Sequence, residues 1–429
     1  MKFRLSSVIL VALVAAVFAG LGGGKFFMHN RAQELGIAII ITLFLGASFL
    51  SAFRLQGGQW CLWVSTGPSF VFFVMVFWSL TFSFKADASL MPSVLASREF
   101  LLLLLGPTLY LLYRSGLRLE QIGRAVIVGL LLATLSYLFF YHTLDLKAAY
   151  FSEDPFTHHL VTYDEARGFR LKPPTYAVML LALISLFTLF GKSRLSMKLL
   201  ALVGIGLAVY IWTLVALRAV AAGTLFALIL YPLLWRRPGN MYLVVTLVPL
   251  IPVVTYALVD PMLAYVQQSH GAEVRMEAYD LALTEIKSNW LFGWGQASGY
   301  TKTYQDVFGP KFFPSDLGIV GIMFKYGVAG ALIYLIACPL ILLKAARAHW
   351  MISALKGRPN PLFQSLTVFM TTMTLNIVLW PGLAYGQGLT TAAITLGLSA
   401  CVLHEYRERV SHSPKPDNSP APEGLLPAT

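Results

Sequence analysis

Long apolar runs recur from one end of this sequence to the other, broken only by short charged clusters. A run of about twenty apolar residues spans a bilayer as one helix. Twelve such runs can be read, at roughly 6–24, 35–53, 62–84, 98–113, 124–141, 175–190, 197–216, 219–235, 241–259, 317–343, 362–380 and 387–403. The stretch 195–235 is too long for a single span at about 1.5 Å per residue. It must turn near Arg218, its only charge after Lys198. Composition agrees: 57% of the 429 residues are hydrophobic and 12% are charged, too few charges to cover a soluble globule of that length. The expected class is all-α, a polytopic membrane protein of about 12 transmembrane helices.

Charge then sets orientation. With the N-terminus in the cytoplasm and the runs alternating, the cytoplasmic stretches hold 18 of the 32 basic residues and 5 of the 20 acidic ones. That is +13 inside against −1 outside, the positive-inside pattern, and together they give the net charge of +12. The basic excess therefore records membrane orientation. It does not argue for nucleic acid, since no basic stripe interleaved with aromatics accompanies it. The first run has the look of a signal peptide, with Lys2, Arg4 and small residues near Ala19 and Gly20, but is read as a retained span. Cys61, Cys338 and Cys401 form no CxxC pair and no His/Cys cluster, which argues against a disulfide framework or a zinc site.

Residues 1–410 read as one membrane domain, and 411–429, rich in proline, as a disordered cytoplasmic tail. Two external loops are long, 142–174 and 260–315, and long connections tend to carry function. In the second, Val274, Ala278, Leu281 and Leu283 alternate with charges at helical spacing from Ala272 to Ser288. This predicts an amphipathic helix over the membrane face, broken at Asn289 and Gly293-Trp294-Gly295. Trp290, Phe292 and Trp294 suit the headgroup level. Lys325 lies nine residues after Asp316, so the next span is expected to begin near Tyr326, after a short amphipathic or re-entrant piece that ends before Gly327.

Chemistry-bearing residues gather in the external segments. Arg218 at its turn either snorkels or clamps an anion. Arg275 is either a solvated charge or a second clamp. Asp316 stands where an N-cap is expected, and could equally act as a base at the membrane boundary. Arg167, Arg170 and Lys172 crowd the approach to Pro173-Pro174. His158 and His159 are adjacent, so they point apart, and neither they nor His270 have metal-ligand spacing. Guanidinium groups from separate external segments suit phosphate, and a lipid-linked pyrophosphate would present its charge at that depth.

Four local patterns carry a resemblance. Arg167-Gly168 to Lys172-Pro173-Pro174 opens the sixth span. Leu217-Arg218-Ala219 makes a turn. Arg275 to Tyr279 leads through Ile286 to Gly293-Trp294-Gly295. Ser315-Asp316 precedes Tyr326-Gly327-Val328-Ala329-Gly330. In order and spacing these resemble the O-antigen ligase and Wzy-type polymerase superfamily of bacterial envelope enzymes, over residues 160–335. Where the ligases usually carry a histidine this chain has Ser315-Asp316, which favours a polymerase. Ser-Arg-Gly has become Leu-Arg-Ala and Pro-Asn has become Pro-Pro.

The resemblance implies an inner-membrane glycosyltransferase that joins repeat units of exopolysaccharide or O-antigen at the periplasmic face. The donor it implies is a glycan on undecaprenyl pyrophosphate, with no cofactor and no metal. It implies Arg218, Arg275 and Asp316 as catalytic residues, and Arg167, Arg170, Lys172, His270, Tyr279 and Lys311 as substrate contacts. A flippase and a chain-length regulator are the implied partners besides the bilayer. Two other functions fit the same sequence. One is a ligase acting on lipid A core or another acceptor. The other is a polytopic transporter, which expects charges or broken helices near the midplane.

Overall fold

The computed structural model describes residues 2–27, 31–52, 59–154, 157, 160–164, 168–215, 218–236, 270–297, 302–378, 382–384 and 386–412. Helices dominate them. In order these are α1 (Lys2–Gly20), α2 (Arg31–Ala52), α3 (Gln59–Lys85), α4 (Leu90–Ala96), a 3-10 segment (Ser97–Leu104), α5 (Leu105–Arg114), α6 (Leu119–Thr143) and α7 (Leu146–Tyr150). A hairpin of β1 (Val161–Asp164) and β2 (Gly168–Leu171) follows. Then come α8 (Thr175–Phe190), α9 (Leu195–Val215), α10 (Arg218–Arg236), α11 (His270–Ser288), α12 (Tyr304–Phe308), α13 (Gly318–Lys356), α14 (Pro361–Leu375) and α15 (Gly386–His412).

Where the residues are described, the apolar runs fall largely on these helices, the start of 98–113 on the 3-10 segment; 241–259, 216 and 379–380 lie outside the described residues. The reason is physical: a bilayer offers no water to satisfy backbone N–H and C=O groups, so an apolar run closes its own hydrogen bonds as a helix. Five of these segments are long and apolar enough to cross a membrane: Leu90–Arg114, Leu119–Thr143, Leu195–Val215, Gly318–Lys356 and Gly386–Ser411. The long stretch 195–235 does divide, α9 ending at Val215 and α10 starting at Arg218. The last helix continues to His412, into the expected tail, while 413–429 lie outside the described residues.

The core joins α1, α2, α5, α6, α8, α13, α14 and α15. Small residues let these helices approach closely, as membrane helices commonly do. Thus a Cβ on Gly106 would sit 3.0 Å from the Ala393 carbonyl, and one on Gly129 would overlap Val17. Buried threonines on α14 and α15 satisfy their hydroxyls locally: Thr367, Thr371, Thr391 and Thr395 each donate to the carbonyl four residues back.

The bundle has two chemically distinct ends. At one, Lys356 Nζ meets Glu120 Oε1 at 2.6 Å, and Arg114 Nη1 lies 3.1 Å from His404 Nδ1. The hairpin, α11 and the segment before α13 lie at the other. There Lys25 Nζ donates to the Lys172 carbonyl at 2.6 Å, joining the α1–α2 connection to the end of the hairpin.

Candidate functional site

The organising feature is a break in α13. Gly327 has φ 65° and ψ −171°, a conformation open to glycine alone, and it separates a short outer piece from the long helix beyond. This is the position where the sequence places the start of the span. A helix broken there loses the bonds from Val328 N to Phe324 O and from Ala329 N to Lys325 O. The segment after α11 replaces all four partners. Val328 N donates to Trp290 O at 2.8 Å and Ala329 N to Leu291 O at 3.4 Å. Trp294 N donates to Phe324 O at 2.8 Å and Gly295 N to Lys325 O at 2.7 Å. The strap can lie this close because Gly293 and Gly295 adopt φ 66° and 91° and carry no Cβ. A Cβ on Gly293 would sit 2.5 Å from the Phe324 carbonyl.

Helix α3 closes the other side of the strap. Trp78 Nε1 donates to Phe292 O at 2.9 Å, and Gln296 N donates to Trp78 O at 3.0 Å. Lys85 Nζ reaches Asn289 Oδ1 and Gly293 O, and Lys302 Nζ reaches Ala86 O. Tyr304 is buried against Phe82 and Phe324, and its hydroxyl donates to Gly295 O at 2.6 Å. Taking that phenol out of water pushes its pKa well above the ordinary value, so it acts as a fixed donor.

Helix α11 packs on this platform through Ala278, Ala282 and Ile286, spaced one turn apart and buried. The expected apolar stripe included Leu283, which is exposed instead; the buried line runs along the i, i+4, i+8 row. Glu285, a half-buried charged residue of that helix, accepts from Trp294 Nε1 at 2.8 Å. Trp290 and Phe292 stay exposed.

Among the predicted site residues, Asp316 is exposed on a 3-10 turn (Pro314–Asp316) ahead of α13. It does not cap that helix. Gly318 at φ 57° shifts the start, so Leu317 occupies the cap position and no side chain bonds there. The carboxylate is left facing outward, with Ser315 Oγ 3.4 Å from Oδ1. Tyr279 donates to Leu317 O at 3.2 Å, tying α11 to the turn that holds Asp316. Lys311 is exposed on the approach to that turn.

Arg275 and His270 lie on α11 and Arg218 is the first residue of α10, but their side chains lie outside the described residues. Arg167, His158 and His159 are outside them altogether.

The remaining predicted cations do not act alike. Arg170 Nη1 donates to Val215 O at 2.9 Å, anchoring the hairpin to the end of α9, while the Lys172 side chain is exposed. The sequence reading did not single out Lys25, a lone cation after three glycines. Half-buried beside Lys172, its amine has a pKa lowered to about 7, first by desolvation and then by the neighbouring ammonium. Tyr210 and His142, also unremarked in the sequence, stack and share a 3.1 Å hydrogen bond.

Among the described residues no group of three or more His, Cys, Asp or Glu side chains is arranged to hold a metal ion. No protein-family model and no curated protein matches the sequence.

Proposed function

We propose that the protein is a glycosyltransferase of the envelope-polymerase kind, joining lipid-pyrophosphate-linked oligosaccharide units at the non-cytoplasmic face of a bacterial inner membrane. One observation carries this reading: the Tyr279–Leu317 bond. It brings the helix bearing Arg275 onto the turn bearing Asp316, although 40 positions separate the two residues in the sequence. Tyr279 is one helical turn from Arg275, and Leu317 adjoins Asp316. The helix that carries Arg275 and the turn that carries Asp316 are thereby joined.

In the reaction, an acceptor hydroxyl gives its proton to Asp316 and its oxygen bonds to the anomeric carbon. The bond from that carbon to the lipid pyrophosphate breaks, and the electron pair leaves with the pyrophosphate. Arg275 and Arg218 bind the pyrophosphate and stabilise its growing charge. The leaving group is already good, so positioning and charge stabilisation suffice. Arg167, Lys172, His270 and Lys311 serve substrate binding, while Arg170 is engaged with the Val215 carbonyl and holds the hairpin in place. With the Lys356–Glu120 end cytoplasmic, the site faces the periplasm.

Full-length protein in vesicles, supplied with lipid-linked repeat units, tests this. Arg275→Ala should slow elongation about a hundredfold, the effect of losing ~3 kcal/mol of charge stabilisation. Normal elongation by a stably inserted variant would remove the clamp. A ligase would instead leave the repeat units unjoined and move them to a different acceptor.

The break at Gly327 gives the transporter reading a specific foothold, because transporters build their sites from broken helices. Here, however, the four freed backbone groups are closed by the strap and are not offered to a substrate.

A further inference from the structure

At the end of the bundle away from the strap, a cavity of about 670 Å³ opens beside the ends of α5, α6 and α15. Pockets for small ligands span roughly 300–1,000 Å³. The walls come from distant parts of the chain. Arg118, Leu119 and Glu120 form one, at the start of α6, and Glu405, Glu408 and Arg409 form the other, in the last turns of α15. Four of the five segments long and apolar enough to cross a membrane end here: Leu90–Arg114, Leu119–Thr143, Gly318–Lys356 and Gly386–Ser411. The third joins the group through Lys356, whose Nζ meets Glu120 Oε1 at 2.6 Å. Charged walls at the ends of crossing segments lie at the level of lipid headgroups, and the positive-inside orientation makes this the cytoplasmic leaflet.

The two walls differ in sign. On the α6 side stand Arg118, Glu120 and the Lys356 bound to it, two cations against one carboxylate. Arg118 is exposed and forms no ion pair among the described residues. On the α15 side stand Glu405, Glu408 and Arg409, two carboxylates against one cation. Arg409 Nη2 holds Glu405 Oε1 at 2.9 Å, and His404 Nε2 lies 2.8 Å from Glu408 Oε1. His404 is counted as neutral, with the Arg114 guanidinium 3.1 Å from its Nδ1. Each carboxylate keeps lone pairs for a further donor. The helix ends reinforce the contrast, since the N-terminus of α6 favours negative charge and the C-terminus of α15 favours positive.

We propose that this cavity binds the zwitterionic headgroup of an ethanolamine phospholipid. The phosphate lies against Arg118 and the start of α6, and the primary ammonium lies against Glu405 and Glu408. The two walls together select this class. An anionic headgroup would satisfy Arg118 but would face the two carboxylates. A choline headgroup carries both charges but has no N–H to donate to a carboxylate. The ethanolamine ammonium has such donors, so charge-assisted bonds form on both walls at once. A lipid is the fitting source, because its acyl chains can run along the crossing segments that end at the cavity. The site is independent of the glycosyl transfer at the opposite face.

Full-length protein in detergent is titrated with phosphatidylethanolamine, phosphatidylglycerol or phosphatidylcholine of matched acyl chains, and bound lipid is counted by native mass spectrometry. Phosphatidylethanolamine should bind about tenfold more tightly than either of the others, the effect of one charge-assisted contact. Arg118→Ala should weaken its binding about tenfold. Glu408→Gln should weaken it too, while leaving phosphatidylglycerol bound at least as well as by wild type. Both positions are exposed, so the variants should keep the wild-type melting temperature. Glycerophosphoethanolamine, the same head without chains, should fail to displace the lipid at equal concentration. The proposal is overturned if phosphatidylglycerol or phosphatidylcholine binds as tightly, if no lipid is retained, or if either variant binds phosphatidylethanolamine like wild type. It is overturned as well if the chainless head competes equally, which would make a soluble phosphate ester the ligand.

Discussion

Lys25 shows how a single residue departs from what its type predicts. A lysine in a short external turn reads as solvated, yet the fold presses it against Phe26 and the end of the hairpin. Burial and Lys172 bring its pKa down to about 7. The neutral amine is the nucleophile, and a lowered pKa extends its population to lower pH. Acylation of Lys25 should therefore rise with a midpoint near pH 7, well before the exposed lysines. Pulse labelling across pH 6–11 with mass spectrometry measures this, and a midpoint near 10 would contradict it. Asp316 departs in a different way. Its position before an apolar run suggested a cap, but Gly318 moves the helix start past it and leaves the carboxylate outward. Local sequence could nominate both residues; it could not say which neighbours would desolvate one or release the other.

Helix α13 carries the clearest consequence at the scale of an element. Its apolar character runs across Gly327, so the break is set by a backbone conformation closed to other residues and by the strap's hydrogen bonds. Gly327→Ala would meet both a strained φ and the Leu291 carbonyl, which lies 2.1 Å from where the Cβ would sit. The variant should lose about 2–4 kcal/mol of stability, from backbone strain together with loss of strap bonds. Thermal unfolding in detergent should show a clearly lower midpoint, and an unchanged one would mean the strap does not hold the break. Removing one strap bond is milder. Trp78→Phe deletes the indole donor to Phe292 O and should cost about 1 kcal/mol in the same measurement. Periodicity made α11 and its Ala278 legible in the sequence, but only packing showed that Ala282 and Ile286, rather than Leu283, complete the buried line.

Charge and packing meet at the scale of the molecule. The cations that the orientation argument places in the cytoplasm, Arg114 and Lys356, lie together at one end, and the hairpin and strap at the other. Single cysteines at Lys311 and Arg358, in a background lacking Cys61, Cys338 and Cys401, test the sidedness. An impermeant thiol reagent should label the first in intact cells and the second only after permeabilisation; the reverse would invert the proposed active face. The apolar runs alone determined that the described residues fold largely as apolar helices, five of them long enough to cross a membrane, because in a bilayer every backbone bond must close within its own segment. Tertiary structure alone decided which distant segments meet: α11 with the Asp316 turn, and the strap with the Gly327 break and with α3. Those meetings depend on close approach at glycines and on side-chain fit between helices that all look equally apolar in sequence.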